Sequence, residues 1–177
     1  MEIINYNLEE YTNELTPNQY TREKRLLQVE LLKLQEWVIK NNKKLAIVFE
    51  GRDTAGKGST IKRFVERLIE RKSSDTPTYR IVSMGIPTPE ESKNWFERYE
   101  RHLPTESEIV FFDRSWYNRA IVEPAMGYCN EDQYREFMEK VNKWEYKLKK
   151  DQDIILIKIY LDIDKHKQKE RIVERQE

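Results

Sequence analysis

The sequence predicts an α/β fold of three layers, in which an open, mainly parallel sheet is flanked by helices. Short apolar segments rich in β-branched residues alternate along the chain with longer segments of helical periodicity, which is the order that βαβ units produce. A length of 177 residues with 38% hydrophobic content suits one compact domain rather than two. Ligands of such sheets bind at the carboxyl ends of the strands, where candidate site residues are therefore expected.

The N-terminal region is expected to divide at residue 20. Residues 1–19 lack a clear period and are predicted to form an arm, whereas residues 20–177 are predicted to form a single domain. A first helix is predicted over residues 21–42, because apolar side chains recur on one of its faces with charged side chains opposite. These apolar residues are Leu27, Leu31, Leu34 and Val38.

The rest of the chain predicts four strands and the helices between them. The strands follow from short apolar runs at residues 45–50, 78–84, 108–113 and 153–163. Helical spacing predicts a helix that carries Ile61, Val65 and Leu68, and further helices over residues 87–103, 131–150 and 164–177. Pro124 and Gly127 interrupt residues 115–129, which predict no regular element.

The loop after the first strand has the sequence GRDTAGK, which matches G-x-x-x-x-G-K and stands between an apolar strand and an amphipathic helix. Its glycines let backbone N–H groups turn toward an anion, the helix N-terminus adds its dipole, and Lys57 supplies a point charge. The alternative is a glycine turn with an unrelated lysine, which the flanking elements disfavour. We expect a phosphate site made of Gly51, Thr54, Ala55, Gly56, Lys57, Gly58, Ser59 and Thr60.

The residue after the lysine is Gly58, whereas the general pattern has Ser or Thr at that position. Hydroxyl side chains follow only at Ser59 and Thr60, an arrangement similar to that of nucleoside-monophosphate kinases. We expect Ser59, ahead of Thr60, to supply the hydroxyl that such loops direct to Mg²⁺.

Asp53 places a carboxylate inside this anion-binding loop. The carboxylate would repel a phosphate unless a divalent cation or another cationic group lay between the two. Asp53 is therefore a candidate metal ligand, directly or through water. The alternative is an Asx hydrogen bond that stabilises the turn.

The segment FDRSWYNR follows the third strand and begins with Asp113 at the strand end. An acid at this position can reach a metal ion held by phosphates on the neighbouring loop, so Asp113 is the second candidate metal ligand. Arg114 and Arg119 suit charge stabilisation on a transferring phosphoryl group, with surface ion pairs as the alternative. Trp116 and Tyr117 are expected to pack in the interior rather than to stack on a base.

Charge and composition limit the partners. Lys+Arg and Asp+Glu balance at 32 each, so no net charge attracts nucleic acid or a membrane, and anion binding must be local. No signal peptide or membrane-spanning run is recognisable, and a cytoplasmic protein is expected. One cysteine, Cys129, excludes an internal disulfide, and the two histidines, His102 and His166, do not suggest a histidine metal centre.

With these residues in place, the chain resembles the polyphosphate kinase 2 family. The matching motifs run in order through residues 22–177 and include FEGRDTAGKG, WFERYERHLP, EIVFFDRSWYNRA and ILIKIYLDI. The resemblance implies a P-loop kinase fold, Mg²⁺ as cofactor, and inorganic polyphosphate with ADP/ATP or GDP/GTP as substrates. It also implies functional aspartates at Asp53 and Asp113, phosphate contacts from Lys57, Arg114 and Arg119, and a homodimer or homotetramer.

Two departures from the family pattern leave alternatives open. Ile86 stands in GIPTP where the family usually has a lysine, and the chain stops at ERIVERQE, before the basic lid with which the family continues. One alternative is a nucleoside-monophosphate kinase that resembles thymidylate kinases, although DRSWYNR argues against it. The other is a non-catalytic assembly module that retains phosphate binding without the lid.

Overall fold

A parallel sheet of four strands forms the centre of the computed structural model, which describes residues 15–70 and 77–176. The strands are β1 (Lys44–Gly51), β2 (Tyr79–Ser83), β3 (Glu108–Asp113) and β4 (Ile154–Leu161). Their order across the sheet is β2-β3-β1-β4, and every neighbouring pair is parallel. The predicted α/β class with an open parallel sheet is confirmed.

Helices connect the strands and cover both faces of the sheet. In the described ranges they are α1 (Pro17–Lys40), α2 (Lys57–Val65), α3 (Pro89–Lys93), α4 (Trp95–Glu100), α5 (Val122–Met126), α6 (Glu131–Asp151), α7 (Lys165–Gln176) and a 3₁₀ helix (Trp116–Arg119). No helix within these ranges combines the length and the apolar content needed to cross a lipid bilayer.

β1 separates two apolar cores, because its side chains alternate between the two faces of the sheet. Ala46 and Val48 join the core formed with α4 and α6. Leu45, Ile47 and Phe49 join the core formed with α1 and α2. Burial on both faces explains why this strand is an almost continuous apolar run in the sequence.

α1 begins earlier than the expected boundary between arm and domain. Thr16 and Gln19 form a reciprocal capping box, and Pro17 occupies the first turn, where its missing N–H and fixed φ are favourable. Residues 17–19 are therefore helical, and residues 1–14 lie outside the described residues. The division of the chain into an arm and one domain stays a prediction.

The buried face of α1 differs from the predicted one. Gln28, Gln35 and Val38 are buried, whereas Leu27 is 45% exposed, so the prediction was wrong for Leu27. Gln35 donates a hydrogen bond to the carbonyl oxygen of Ile69 at 2.8 Å and accepts one from its N–H at 2.9 Å. Because these bonds satisfy the buried amide, a polar side chain can occupy a core position.

Two other helices are shorter than the sequence predicts. α2 ends at Val65, so Leu68 lies beyond it. Residues 87–103 form two helices rather than one, with a break at Asn94, whose φ of −104° and ψ of 56° are not helical. The segment without a predicted element contains the 3₁₀ helix and α5, and Gly127 ends α5 in the left-handed conformation.

Candidate functional site

The predicted phosphate loop lies at the carboxyl ends of β1 and β3. Phe49 pairs with Asp113 in the parallel ladder, so the loop that leaves β1 starts beside the predicted strand-end acid. A cavity of about 380 Å³ opens there, at the edge where parallel sheets bind ligands. It is lined by Asp53, Thr54, Gly56, Lys57, Gly58, Ser59, Lys62, Asp113, Arg114 and Arg175.

Two glycines give the loop its path. Gly51 has φ of +141°, and a Cβ atom there would overlap the carbonyl oxygen of Leu161 in β4. Gly56 has φ of +96° and precedes the first residue of α2. Both conformations lie where side chains are strained, so the glycines allow the chain to turn sharply from strand to helix.

Lys57 turns back over its own loop. Its buried Nζ donates hydrogen bonds to the carbonyl oxygens of Gly51 at 2.9 Å and Arg52 at 2.8 Å. Burial, and then the nearby Arg114 guanidinium, lower the pKa of Lys57, while Asp113, Asp53 and Glu50 oppose that shift. The ammonium group is thus satisfied by two backbone carbonyls of its own loop.

Gly58 gives Asp113 room beside the start of α2. A Cβ atom on Gly58 would lie 3.4 Å from Asp113 Oδ2, so the carboxylate occupies the space next to a residue that is usually Ser or Thr. Of the two following hydroxyls, Thr60 Oγ1 donates to the carbonyl oxygen of Gly56 at 2.9 Å. Ser59 is exposed and lines the cavity, and its expected role as the hydroxyl directed to Mg²⁺ stays a prediction.

Asp53 contacts a cation that the sequence pattern did not reveal. Arg175 Nη2 lies 2.8 Å from Asp53 Oδ2, and both side chains are about half-exposed. A hydrogen bond from Arg175 is the main cause that lowers the pKa of Asp53. The loop carboxylate is therefore held ionised by α7, which follows it by more than 100 residues.

Arg114 lies between two cavities. It lines the phosphate-loop cavity and a neighbouring cavity of about 270 Å³, and its φ of +69° is unusual for a residue with a side chain. Its backbone N–H donates to the carbonyl oxygen of Phe49 at 3.1 Å. The second cavity is lined by Met84, Gly85, Ile86, Pro87, Arg98, Arg114, Asn118, Val122, Glu123 and Tyr128.

Arg119, the other predicted phosphate contact, points elsewhere. Its side chain is buried, stacks 4.1 Å from the ring centre of Trp95, and pairs with Glu123 at 3.2 Å. It also donates to the carbonyl oxygen of Ser92 at 2.8 Å. Arg119 is not among the residues that line the phosphate-loop cavity, so the structure does not bring it together with Lys57 and Asp113.

Comparison with known proteins decides the family. The family model described as Polyphosphate kinase 2 matches residues 14–177. The chain belongs to the polyphosphate kinase 2 family. Its curated relatives include a GDP-polyphosphate phosphotransferase of Pseudomonas aeruginosa, which is 44% identical over 168 residues that cover 94% of this chain and 45% of the relative. An ADP-polyphosphate phosphotransferase of the same organism is also 44% identical over 168 residues, covering 94% of this chain and 53% of the relative.

Solved structures of polyphosphate kinase 2 proteins share the fold. A structure titled putative polyphosphate kinase 2 from Pseudomonas aeruginosa has a TM-score of 0.81 and 33% identity, and covers 97% of this chain and 36% of that one. The enzyme from Arthrobacter aurescens has a TM-score of 0.79 at 22% identity, covers 92% of this chain and 57% of that one, and supports the fold alone. The chain spans about half the length of the curated relatives it matches.

The oxygen donors of this polyphosphate kinase 2 chain fit Mg²⁺. Asp53, Asp113 and Ser59 line one cavity, and Mg²⁺ is usually bound through one or two carboxylates, substrate phosphates and water. Within residues 15–70 and 77–176, no three His, Cys, Asp or Glu side chains gather around one point as an all-protein metal site would require. Asp53, Asp113 and Ser59 would be the residues that hold the cation, and Asp53 is paired with Arg175 in the structure.

Several charged residues in or next to the two cavities of this polyphosphate kinase 2 chain were not predicted from the sequence. Lys62 follows Lys57 on α2 by five residues, a spacing that does not place the two on one helix face and gave no local signal. Arg98 and Arg175 belong to predicted helices, and no local pattern distinguishes them from solvated charges. Glu50 is an acid at the end of a buried apolar strand, and that unusual position was a usable signal.

Proposed function

We propose that this chain forms the core of a Mg²⁺-dependent phosphotransferase that moves the terminal phosphoryl group of inorganic polyphosphate to ADP or GDP, or catalyses the reverse reaction. The observation that supports it most is the position of Arg114, which lines both the phosphate-loop cavity and the adjoining cavity. A guanidinium group between two polyanion sites suits charge stabilisation on a group that passes from one to the other.

The phosphate-loop cavity would hold the donor end of polyphosphate. Lys57, Lys62 and Arg114 bring positive charge to it, and the N-terminus of α2 adds its dipole. Asp53 and Asp113 would hold the metal ion, with Ser59 as an additional oxygen ligand. Bound there, Mg²⁺ would neutralise charge on the transferred phosphoryl group.

The adjoining cavity would hold the acceptor nucleotide. Arg98 and Asn118 line it, and the buried guanidinium of Arg98 has its Nε 3.5 Å from Glu91 Oε2 and donates from Nη2 to the carbonyl oxygen of Gly85. In this cavity, Arg98 and Arg114 would bring positive charge to the phosphates of the nucleotide. Ile86, which replaces the usual lysine of the family, also lines it, so this chain offers one cation fewer there.

The transfer needs no covalent enzyme intermediate. An oxygen of the terminal phosphate of ADP attacks the end phosphorus of polyphosphate, the bond from that phosphorus to its bridging oxygen breaks, and the shortened chain leaves with that oxygen. The attacking phosphate is already mostly ionised at neutral pH, so no side chain has to remove a proton. Lys57, Arg114 and the loop N–H groups would orient the phosphates and balance their charge.

The proposal also includes a cytoplasmic protein and a homodimer or homotetramer. Leu26, Leu27 and Val29 on α1 are each about half-exposed, and such a group of apolar side chains suits contact with another protein surface. Light scattering during gel filtration measures the assembly. A mass of 21.6 kDa, that of one chain, would contradict this part of the proposal.

An assay that varies donor and acceptor tests the function. We expect ATP from ADP with polyphosphate, or GTP from GDP, only when Mg²⁺ is present. Phosphorylation of dTMP by ATP would instead support a thymidylate-kinase type. Polyphosphate binding without turnover under all conditions would support a non-catalytic assembly module.

A further inference from the structure

Glu50 connects the end of β1 to the segment that follows Asp113. Its buried carboxylate accepts two hydrogen bonds on the same oxygen, Oε1, from Ser115 N–H at 2.8 Å and from Ser115 Oγ at 2.7 Å. The ladder between β1 and β3 ends at the Phe49–Asp113 pair. The Glu50 side chain therefore continues the attachment of the two strands beyond the point where the backbone ladder stops.

Hydrogen bonds to consecutive residues of β1 hold the backbone on both sides of Arg114. The carbonyl oxygen of Phe49 holds Arg114 N–H at 3.1 Å, and the next residue, Glu50, holds Ser115 N–H. Arg114 lies between these two attachments with φ of +69°. A left-handed conformation at a long side chain persists only where its surroundings impose it, and consecutive residues of β1 impose it here.

The remaining polar groups of Ser115 are also engaged. Its carbonyl oxygen accepts from the Tyr99 hydroxyl at 3.0 Å, and Ser115 Oγ accepts from Tyr117 N–H at 3.3 Å, which starts the 3₁₀ helix. Ser115 itself is fully buried. The backbone N–H, the carbonyl oxygen and the hydroxyl of Ser115 thus all have hydrogen-bond partners. Among the described residues, Glu50 is the only charged side chain that bonds to Ser115.

We propose that Glu50 is a positioning residue: through its two bonds to Ser115, it holds the guanidinium of Arg114 between the two cavities in the geometry needed for transfer. This inference rests on the function proposed above. Glu50 does not line the phosphate-loop cavity, so it acts through Ser115 and Arg114 rather than on the substrate. Burial raises the pKa of Glu50, while the two hydrogen bonds from Ser115 oppose that shift.

Two substitutions separate reach from charge. Glu50→Gln keeps the length of the side chain and an acceptor oxygen for both Ser115 bonds but removes the charge. Glu50→Asp keeps the charge but shortens the side chain by one methylene group. Because small displacements of positioning groups reduce turnover strongly, we expect kcat of Glu50→Asp to fall on the order of 100-fold. KM for polyphosphate should rise by about tenfold, since Arg114 also lines the cavity that would bind polyphosphate. Glu50→Gln should remain within about threefold of the wild type.

Other outcomes would overturn the proposal. If kcat fell further in Glu50→Gln than in Glu50→Asp, the charge of Glu50 would be the deciding property. Equal losses of kcat would show that the length of the side chain does not decide turnover. If Glu50→Asp does not fold, Ser115→Ala can be used instead. This variant removes the bond from Ser115 Oγ to Glu50 and leaves the bond from Ser115 N–H in place. We expect its kcat to fall by about tenfold, with a smaller rise in KM for polyphosphate than in Glu50→Asp, and an unchanged kcat would contradict the proposal.

Binding measurements keep this inference distinct from the proposed function. If the wild-type chain binds polyphosphate with Mg²⁺ but has no turnover, the proposed function fails and Glu50 is still tested. Calorimetry should then show about tenfold weaker polyphosphate binding for Glu50→Asp and no change for Glu50→Gln, because Arg114 is displaced only in the former. Equal affinities in the three proteins would overturn the positioning role.

Discussion

Asp53 and Arg175 form an ion pair, with Nη2 of the arginine 2.8 Å from Oδ2 of the aspartate. The pair joins the phosphate loop to α7. Gln168 and Arg171 strengthen the attachment, since they donate to the carbonyl oxygens of Asp53 at 3.2 Å and Thr54 at 3.0 Å. α7 is therefore attached to the loop through polar contacts on three of its residues.

Replacing Arg175 should change the titration of Asp53. In Arg175→Gln, we expect the pKa of Asp53 to rise toward its ordinary value of 3.8, because the main cause that lowers it is removed. A carboxylate with a lowered pKa stabilises the fold above its unfolded-state pKa and loses that effect as the pH falls through the folded-state value. The variant should therefore be slightly less stable than the wild type at pH 7 and equal to it at low pH.

Carbon-detected NMR of the Asp53 carboxyl group measures this shift. Arg135→Gln is a suitable control, because it removes an exposed pair with Glu131 on α6. The Asp53 titration curve should stay the same in that control. An identical curve in Arg175→Gln would show that the ion pair does not form in solution.

Asp113→Asn should remove activity without unfolding the protein. The amide is a poor replacement for a carboxylate at a metal site, and we expect kcat to fall by more than about 100-fold. The melting temperature should change by less than about 2 °C, because the side chain is only partly buried at a strand end. Asp153→Asn, at an exposed turn before β4, is the matched control and should keep its activity; parallel losses of stability and activity in Asp113→Asn would contradict a catalytic role.

The two arginines after β3 should respond differently to replacement by methionine. Arg119→Met leaves Glu123 buried without its partner, and we expect a loss of roughly 3 kcal/mol or more in the free energy of unfolding. Arg114→Met should leave the unfolding free energy within about 1 kcal/mol and lower kcat by on the order of 100-fold. Urea unfolding and turnover of both variants check this contrast, and a stable but inactive Arg119→Met would restore the predicted phosphate contact of Arg119.

Two glycines of the phosphate loop provide a matched pair. Gly56→Ala meets no atom within 4 Å, so we expect only the strain of a left-handed residue, about 1–2 kcal/mol. Gly51→Ala combines an unfavourable φ with overlap on the Leu161 backbone and should be clearly less stable than Gly56→Ala. Thermal unfolding compares them, and a smaller effect at Gly51 would contradict the close approach of β4.

Part of the site could be predicted from the sequence because its signals are local. GRDTAGK specifies a strand, a turn and a helix start within a few residues, and an acid at the end of an apolar strand identified Asp113. The predicted strand 108–113 coincides with β3, Glu108–Asp113. The buried face of α1 was less predictable, because Gln28 and Gln35 are buried through hydrogen bonds to distant groups that no periodicity reveals.

The sequence by itself determined the fold class, the family and the loop that is expected to hold phosphate, because each depends on patterns within one strand–helix unit or on motif order. Only the tertiary structure decided which charges face the cavities. It separated Arg114 from Arg119, which are five positions apart, by a left-handed turn and a buried pair with Glu123. It also brought Arg175 to Asp53 and Ser115 to Glu50, because pairing distant strands and helices sets these contacts and sequence spacing does not.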